Sequence, residues 1–312
     1  MNIHNDFNSV SRIPNPVITI GTFDGVHLGH QKIIAFLNEQ AAKYGGESAL
    51  FTFWPHPKMV LNPANHGVKL IQSEDEKMEK LKLKGLQNLI VHPFTKEFSQ
   101  LTAEEFVRDI LVAKLNVKHL VIGYDHQFGK NREGGIEFLK KVAPTYGFDV
   151  TEISAEEINE VNISSTKIRN AIENGEIEIA NQYLGEPFSL RGEVVHGQKH
   201  GREFGFPTAN LDLNCDFKLL PPDGIYVVNV KTAKKERFRG ILSIGTNPTL
   251  GENNDRTVEV YILDYNDDLY GTILEVDLLH FVRPTAKFES IDALITQMKA
   301  DEVYTRNYFH SL

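Results

Sequence analysis

The sequence changes its periodicity near residue 185, and this change limits the folds that the chain can adopt. Before that point, short apolar runs alternate with amphipathic helical segments. Such alternation predicts an α/β domain with a doubly wound parallel sheet and crossover helices on both faces. The apolar runs predicted as strands are Val17–Ile20, Ser48–Phe53, Leu89–His92, His119–Gly123 and Phe148–Ile153.

After residue 185, short strands follow one another between turn signals, which suggests a small closed six-stranded antiparallel β-barrel. The predicted strands are Ser189–Gly197, Thr208–Leu213, Gly224–Val230, Phe238–Gly245, Val258–Leu263 and Ile273–Val282. A C-terminal helix is predicted over Ser290–Asp301. We place the domain boundary in Leu184–Pro187, because Gly185 can end a helix and Pro187 cannot continue it. The predicted domains are 1–185 and 186–312.

Composition narrows the class of protein. The chain has 312 residues, of which 41% are hydrophobic and 24% charged, so it can bury a core. No apolar run approaches the roughly 18 residues that span a bilayer, and no secretory signal opens the sequence. We therefore expect a cytoplasmic protein with no membrane partner. The net charge of −9 argues against a nucleic-acid partner and is compatible with a monomer or a homo-oligomer. Cys215 has no second cysteine with which to form a disulfide.

Two distant segments together predict a nucleotide-phosphate site. Gly21–His30 (GTFDGVHLGH) places two histidines between a predicted strand and a predicted helix. Carboxyl ends of parallel strands and helix N-termini favour anionic ligands, and glycines permit close backbone approach. Asn162–Arg169 (NISSTKIR) adds hydroxyls and cations, although alone it indicates an ordinary capped helix.

Two further segments of the first part are less specific. Gly123–Gly134 follows a predicted strand and combines glycines, aromatic rings and cations, as a loop over a ring and a phosphate would. Phe51–Pro57 ends another strand. This segment fits two interpretations about equally well, a group of binding-site residues or a core strand stopped by prolines.

The second part contains its own candidate site. Gly192–Asn210 is rich in glycine and ends in Pro-Thr-Ala-Asn. Thr208 and Asn210, two positions apart on a strand, point to one face and offer hard oxygen ligands of the kind that Mg²⁺ accepts. A generic glycine-rich hairpin is the alternative interpretation. By pattern alone, Glu259 is an outward-facing strand residue.

These segments resemble the bacterial bifunctional riboflavin kinase/FAD synthetase family. That family joins an FMN adenylyltransferase module of the His-x-Gly-His nucleotidyltransferase superfamily to a flavokinase barrel. The resemblance implies that ATP phosphorylates riboflavin to FMN, and that FMN then attacks the α-phosphorus of ATP to give FAD and pyrophosphate. Both the substrates and the cofactor Mg²⁺ are expectations from this resemblance.

The resemblance also implies roles for individual residues. His27 and His30 would stabilise the ATP phosphates and the developing charge, and Glu259 would be the general base for riboflavin. Thr208 and Asn210 would hold Mg²⁺. The remaining residues expected to bind nucleotide or flavin are Gly21, Phe23, Asp24, Asp125, Ser164, Thr166, Arg169, Gly197, Lys199, Gly201, Gly205, Pro207, Asn247 and Arg283.

One position departs from the family pattern. The family commonly has a glutamate two residues after Arg283, where this chain has Thr285, so we expect flavin closure to be altered rather than lost. Two other functions are considered. One is a monofunctional adenylyl- or cytidylyltransferase with an inactive barrel, and the other is a flavin-binding or regulatory protein without turnover. The presence of Thr208, Asn210 and Glu259 argues against both, because binding alone needs no base.

Overall fold

The computed structural model describes residues 1–10, 12–61, 67–124, 126–154, 163–197, 205–246 and 256–311. The chain divides into two compact units, Met1–Ser165 and Thr166–Leu312. This division precedes the boundary predicted at residue 185, because a helix that ends at Leu184 packs on the strands of the second unit. Each unit is described by itself.

The first unit contains a six-stranded sheet in which every pairing is parallel. Its order is β1-β4-β3-β2-β5-β6. The strands are β1 (Asn2–His4), β2 (Val17–Ile20), β3 (Ser48–Trp54), β4 (Asn88–Pro93), β5 (His119–Gly123) and β6 (Asp149–Ile153). The doubly wound prediction is confirmed, and the short edge strand β1 adds to the predicted five.

Helices connect these strands, and all but the short helix Pro57–Leu61 bury apolar side chains against the sheet. They are α1 (Leu28–Lys43), α2 (Pro57–Leu61), α3 (Glu74–Leu83), α4 (Ala103–Glu105, continuing as a π-helix over Phe106–Val112) and α5 (Ile136–Tyr146). Reciprocal side-chain caps open α3 and α4, where Ser73 pairs with Glu76 and Thr102 with Glu105. Such capping boxes satisfy backbone N–H groups that the first turn leaves unpaired.

Strand β2 lies at the point where the winding of the sheet reverses. The chain runs outward from β2 to β3 and β4, then returns to β5 on the other side of β2. In open α/β sheets, ligands bind at the carboxyl ends of the strands at such a switch point. The loops after β2 and β5 begin at Gly21 and Tyr124. The predicted segments Gly21–His30 and Gly123–Gly134 therefore lie where this rule places a ligand.

The second unit is a closed barrel in which all six neighbouring pairs are antiparallel. Its order is β10-β11-β8-β7-β12-β9. The strands are β7 (Phe188–Val195), β8 (Thr208–Asp212), β9 (Gly224–Thr232), β10 (Arg237–Gly245), β11 (Thr257–Ile262) and β12 (Ile273–Pro284). The six-stranded barrel prediction is confirmed.

Three further helices are α6 (Ser165–Glu173), α7 (Ile177–Leu184) and α8 (Ile291–His310). Helix α7 is tied to the barrel by Asn181, whose Nδ2 donates to the Leu278 carbonyl at 2.8 Å and whose Oδ1 accepts from the Phe188 amide at 2.7 Å. Glu178 of the same helix pairs with His280 of β12.

Helix α8 continues past the predicted end at Asp301. Its buried residues are Asp301, Thr305 and Phe309, whereas the apolar residues of its first half are only partly covered and Ile291 is exposed.

Candidate active sites

The turn between β2 and α1 has an unusual backbone. Phe23, Gly25 and Val26 have φ values of 51°, 87° and 38°, in the left-handed region. A non-glycine residue there, above all a β-branched one, persists only where its surroundings hold it. One such restraint is Asp24, whose Oδ1 accepts from the amides of Ile71 at 3.0 Å and Gln72 at 3.4 Å.

This turn presents the two histidines at the start of α1. His27 is the N-cap residue, only 2% exposed, and its Nδ1 accepts from the His30 amide at 3.4 Å. The two imidazole rings stack with centroids 3.7 Å apart, and His30 also stacks on Phe23 at 4.4 Å. The predicted pair therefore forms one compact cluster at a helix N-terminus, where the helix dipole favours an anion.

The electrostatic environment of His30 disfavours its protonated form. Burial lowers its pKa most, followed by the charges of His27, Lys80 and Lys77. The lowered pKa keeps His30 neutral at physiological pH until an anion such as a phosphate opposes these effects. The two lysines were not predicted, because in the highly charged helix α3 they are typical of a solvent-facing surface.

The other residues predicted for the nucleotide-phosphate site differ in exposure and in the unit to which they belong. The Asp24 carboxylate bonds backbone amides, which gives it a structural role. Its carbonyl accepts from Ser165 Oγ at 2.9 Å. Ser164 is exposed. Thr166 and Arg169, on α6, belong to the second unit; Thr166 is exposed and Arg169 half-buried.

Gly21 and Asp125 belong to the same predicted set. A Cβ at Gly21 would lie 2.9 Å from Phe23 Cε2, so the glycine permits the ring to fold back. Asp125 lies outside the described residues.

Several residues of the two less specific segments pack against the core. In the loop after β5, Phe128 is buried against Phe106 and forms a reciprocal pair of backbone hydrogen bonds with Gly134. Gly129 and Gly134 leave no room for a side chain against Ala103. Phe51 is fully buried in the core, so for this residue the core-strand interpretation holds.

In the barrel, the pairing of β8 with β11 brings together the residues predicted for the second site. Asn210 is directly opposite Glu259. Thr208 Oγ1 donates to Glu259 Oε2 at 3.0 Å. Thr257 Oγ1 lies 3.1 Å from Glu259 Oε1 and 3.2 Å from the Gly245 carbonyl, so these two acceptors share its single proton. Because Val258 is buried in the barrel interior, these polar residues share the outer face. The pattern-based outward placement of Glu259 and its predicted role are therefore compatible.

The glycine-rich segment before β8 is described only in part. A Cβ at Gly197 would overlap the carboxamide of Asn210, so only glycine leaves that side chain where it is. Gly205 has a φ of 84° and is exposed. Lys199, Gly201 and Asn247 lie outside the described residues.

A cavity of about 360 Å³ opens beside Thr208. Its described lining combines the inward-facing strand residues Val194, Ala209 and Val260 with Pro207 and the segment from Tyr265 to Tyr270 that follows β11, and includes neither Asn210 nor Glu259. The sequence indicated only a turn here, from Asn266-Asp-Asp268. Tyr265 and Tyr270 belong to this lining, which periodicity did not reveal, and their rings pack on Phe238 and His196.

Arg283, predicted to contact flavin, makes a bidentate ion pair with Asp301 of α8. Its Nε and Nη2 lie 2.9 and 2.6 Å from the two carboxylate oxygens, and Asp301 is only 4% exposed. Its Nη1 donates to the Pro284 carbonyl at 3.0 Å. These contacts fix the end of β12 to the C-terminal helix.

Comparison with known proteins identifies both units. The family model described as FAD synthetase matches residues 10–167, and the one described as Riboflavin kinase matches residues 184–309. A bifunctional riboflavin kinase/FMN adenylyltransferase from Listeria monocytogenes is 41% identical over 96% of this chain and 94% of its own length. The chain belongs to the bifunctional riboflavin kinase/FAD synthetase family. The Escherichia coli K12 member is 35% identical over 99% of this chain and 98% of its own.

A solved structure from Streptococcus pneumoniae supports the fold over the full length. It is 36% identical, covers 98% of both chains and superposes with a TM-score of 0.86. Its title describes a macrolide-efflux protein, whereas the Listeria and E. coli relatives are named as the bifunctional flavin enzyme. Among the described residues of this chain, no helix combines the length and apolarity needed to cross a membrane.

Proposed function

We propose that the two reactions of the riboflavin kinase/FAD synthetase family are divided between the two sites described above. The chain is a bifunctional enzyme that uses ATP to convert riboflavin to FMN and FMN to FAD, as both family domains and the curated relatives indicate. What is proposed is the residue-level assignment. Glu259, Thr208 and Asn210 serve the kinase reaction, and His27 and His30 serve the adenylyltransferase reaction.

The contact between Thr208 and Glu259 is the observation that carries the kinase assignment. The 5′-hydroxyl of riboflavin is a poor nucleophile, so a carboxylate that accepts its proton speeds attack on the γ-phosphorus of ATP. Thr208 donates to one oxygen of Glu259, and Thr257 Oγ1 lies within hydrogen-bond distance of the other, so both oxygens of the carboxylate have a neighbour that restrains them. The hydroxyl proton passes to Glu259, the oxygen bonds to phosphorus, and ADP leaves.

The polar residues beside Glu259 fit Mg²⁺. Thr208 and Asn210 offer a hydroxyl and a carboxamide oxygen on one face. Mg²⁺ is commonly held by few protein ligands together with phosphate oxygens and water. When bound, Mg²⁺ would neutralise charge on the ATP phosphates.

The adenylyltransferase site needs positioning and charge more than a base. The phosphate of FMN is already an anionic nucleophile, which attacks the α-phosphorus of ATP as pyrophosphate leaves. His27 and His30, with the N-terminus of α1, stabilise the charge that develops. We assign Ser164, Thr166 and Arg169 to the β- and γ-phosphates by the family resemblance.

The cavity beside Thr208 and the loop at Arg283 are assigned to substrate binding. The cavity beside Thr208 lies within the size range of small-molecule sites. Because neither Asn210 nor Glu259 is among its described lining residues, we assign it to substrate binding and not to the reacting groups. Arg283 shapes the flavin loop through its pair with Asp301.

We place the enzyme in the cytoplasm, where a chain with one half-buried free cysteine, Cys215, meets reducing conditions.

Product analysis tests this function directly. Purified protein is incubated with riboflavin, ATP and MgCl₂, and the flavins are separated by chromatography. We expect FMN to appear first and FAD to follow, with neither formed when EDTA is in excess over Mg²⁺. FAD made only from supplied FMN would indicate a monofunctional adenylyltransferase, and binding of flavin without any product would indicate a regulatory protein. Either result would contradict the proposal.

A further inference from the structure

Helix α3 carries two lysines that are almost completely buried. Lys77 is 5% exposed and Lys80 is 6% exposed, one turn apart on the same helix. Burial of an ammonium group costs several kcal/mol or more unless oxygen atoms or an anion replace its water. Lysines are therefore rarely buried without a specific reason.

The contact made by Lys80 leads directly to the histidine cluster. Its Nζ donates to the carbonyl of Gly25 at 3.0 Å. Gly25 and Val26 are both in the left-handed region and lead into the N-cap residue His27. Two contacts therefore hold the same turn. Lys80 binds the Gly25 carbonyl of the turn, and the Asp24 carboxylate joins the turn to the backbone amides of Ile71 and Gln72.

The charges of α3 also act on the histidine cluster. After burial and His27, Lys80 and then Lys77 are the causes that lower the pKa of His30. Lys77 additionally forms an ion pair with Glu74 at 2.7 Å. Within the part of the chain that is described, His30 Nδ1 is buried and has no hydrogen-bond partner. Positive charge and an unused ring nitrogen therefore occur together beside a helix N-terminus.

We propose that Lys80 is a positioning residue of the adenylyltransferase site, which holds the turn before His27 and adds positive charge for the triphosphate of ATP. This inference rests on the proposed role of His27 and His30. It predicts that the ammonium matters to polyphosphate binding as well as to the shape of the turn. A lysine with only a structural role would affect stability without changing the response to anions.

Three variants separate these roles. Lys80→Met removes the charge and the donor, whereas Lys80→Gln removes the charge and keeps a donor for the Gly25 carbonyl. Lys82→Met is the matched control, because Lys82 is exposed on the same helix. The measurements are the KM for ATP and the kcat of FAD formation from supplied FMN, together with inhibition of that reaction by inorganic tripolyphosphate. Riboflavin phosphorylation by the same samples reports on the other unit.

We expect Lys80→Met and Lys80→Gln to raise the inhibition constant of tripolyphosphate and the KM for ATP by roughly 10- to 100-fold, the range of one charge-assisted hydrogen bond. Lys82→Met should change neither. Riboflavin phosphorylation should be unchanged in all three variants. If Lys80→Met fails to fold, as judged by the fluorescence of the single tryptophan Trp54, Lys80→Gln decides the question.

Wild-type inhibition by tripolyphosphate in a folded Lys80→Gln variant would overturn the inference about Lys80. The assignment of the histidines is tested separately by His30→Asn. If that variant retains normal FAD formation, the proposed function of the cluster fails. If it loses activity while Lys80→Gln behaves as wild type, only the role of Lys80 is wrong.

Discussion

The hydroxyl of Thr208 donates a hydrogen bond to the carboxylate of Glu259 across the β8–β11 pair, at 3.0 Å. A hydroxyl has one proton and two lone pairs, so it can donate to a carboxylate while an oxygen lone pair faces a cation. A residue proposed to hold Mg²⁺ and the residue proposed as base are thus in direct contact. In the proposed site, this one side chain would couple the binding of the metal and phosphates to the orientation of the base.

Replacement of Glu259 by glutamine should abolish most of the kinase activity. The change keeps the shape and hydrogen-bonding capacity but removes the proton acceptor, so FMN formation should fall by about 10²–10⁴. FAD formation from supplied FMN should persist, because it occurs in the other unit. Glu236→Gln, at an exposed turn, is the control. Near-normal phosphorylation by Glu259→Gln would show that Glu259 is only a strand residue.

Replacement of either His27 or His30 by asparagine should have the opposite selectivity. Loss of one group that stabilises transition-state charge should reduce FAD formation from FMN by about 10²–10³, while riboflavin phosphorylation barely changes. Steady-state rates of the two half-reactions check this. His4→Asn, at a buried position on the edge strand β1, controls for loss of a buried histidine. An equal loss of both activities would indicate that the pair is structural.

Addition of one methyl group at Gly197 should selectively impair the kinase. The new Cβ would overlap the Asn210 carboxamide, which must then move away from the face that it shares with Glu259. We expect Gly197→Ala to lower the kcat for FMN formation by roughly 10-fold or more, since small displacements of aligned groups are costly. Gly67→Ala is the control, because a Cβ there meets nothing within 4 Å and the residue is not in the left-handed region. Unchanged kinase kinetics in Gly197→Ala would exclude Asn210 from the site.

The boundary between the domains can be tested with two fragments. We expect Pro187–Leu312 to fold and phosphorylate riboflavin without making FAD. Gly175–Leu312 should be more stable, because it keeps the two hydrogen bonds of Asn181, each worth about 1 kcal/mol. Thermal unfolding and kinase assays of both fragments give the comparison. Equal melting temperatures would show that α7 adds nothing to the barrel, and an insoluble shorter fragment would contradict the boundary at residue 185.

The first unit should lose stability on mild acidification. Burial lowers the pKa of His30, His92 and His119, although Asp6 partly opposes the shift of His92. At a pH between these lowered pKa values and the histidine pKa of about 6.5 in the unfolded chain, the unfolded chain binds more protons than the folded one. The free energy of unfolding therefore falls as the pH falls through this range. Unfolding followed by Trp54 fluorescence should therefore shift to lower temperature from pH 7.5 to 5.5.

A matched variant isolates one contribution to this pH dependence. His119→Gln removes a titrating ring but keeps a side chain that can bond Thr151, the partner of the His119 Nε2 at 2.8 Å. Its transition should depend less steeply on pH than that of the wild type. An identical melting temperature at both pH values in the wild type would contradict the prediction.

The sequence predicted elements where burial leaves a periodic signal. Strand β2 was placed at its observed bounds, because a strand buried on both faces of a parallel sheet is a continuous apolar run. Helix α8 was ended too early, at Asp301. Its second half is buried through Asp301, Thr305 and Phe309, and two polar residues in that stripe break the apolar period on which the prediction depends.

The sites were predicted as sets of residues but not as contacts. The outward face of Glu259 follows from alternation along β11, whereas its contact with Thr208 depends on the β8–β11 register, which no local pattern specifies. Lys80 gives no sequence signal at all, because its carbonyl partner is 55 residues earlier in the chain. Tertiary contacts of this kind require the fold before they can be inferred.

Strand β11 has one further consequence for how the enzyme can diverge. Val258 and Val260 fill the barrel, while Thr257 and Glu259 face outward. Selection for a well-packed interior and selection for a reaction therefore act on alternate codons of the same short stretch. A lineage can exchange the outward residues and acquire a new substrate, or abandon catalysis, while the inward ones preserve the scaffold.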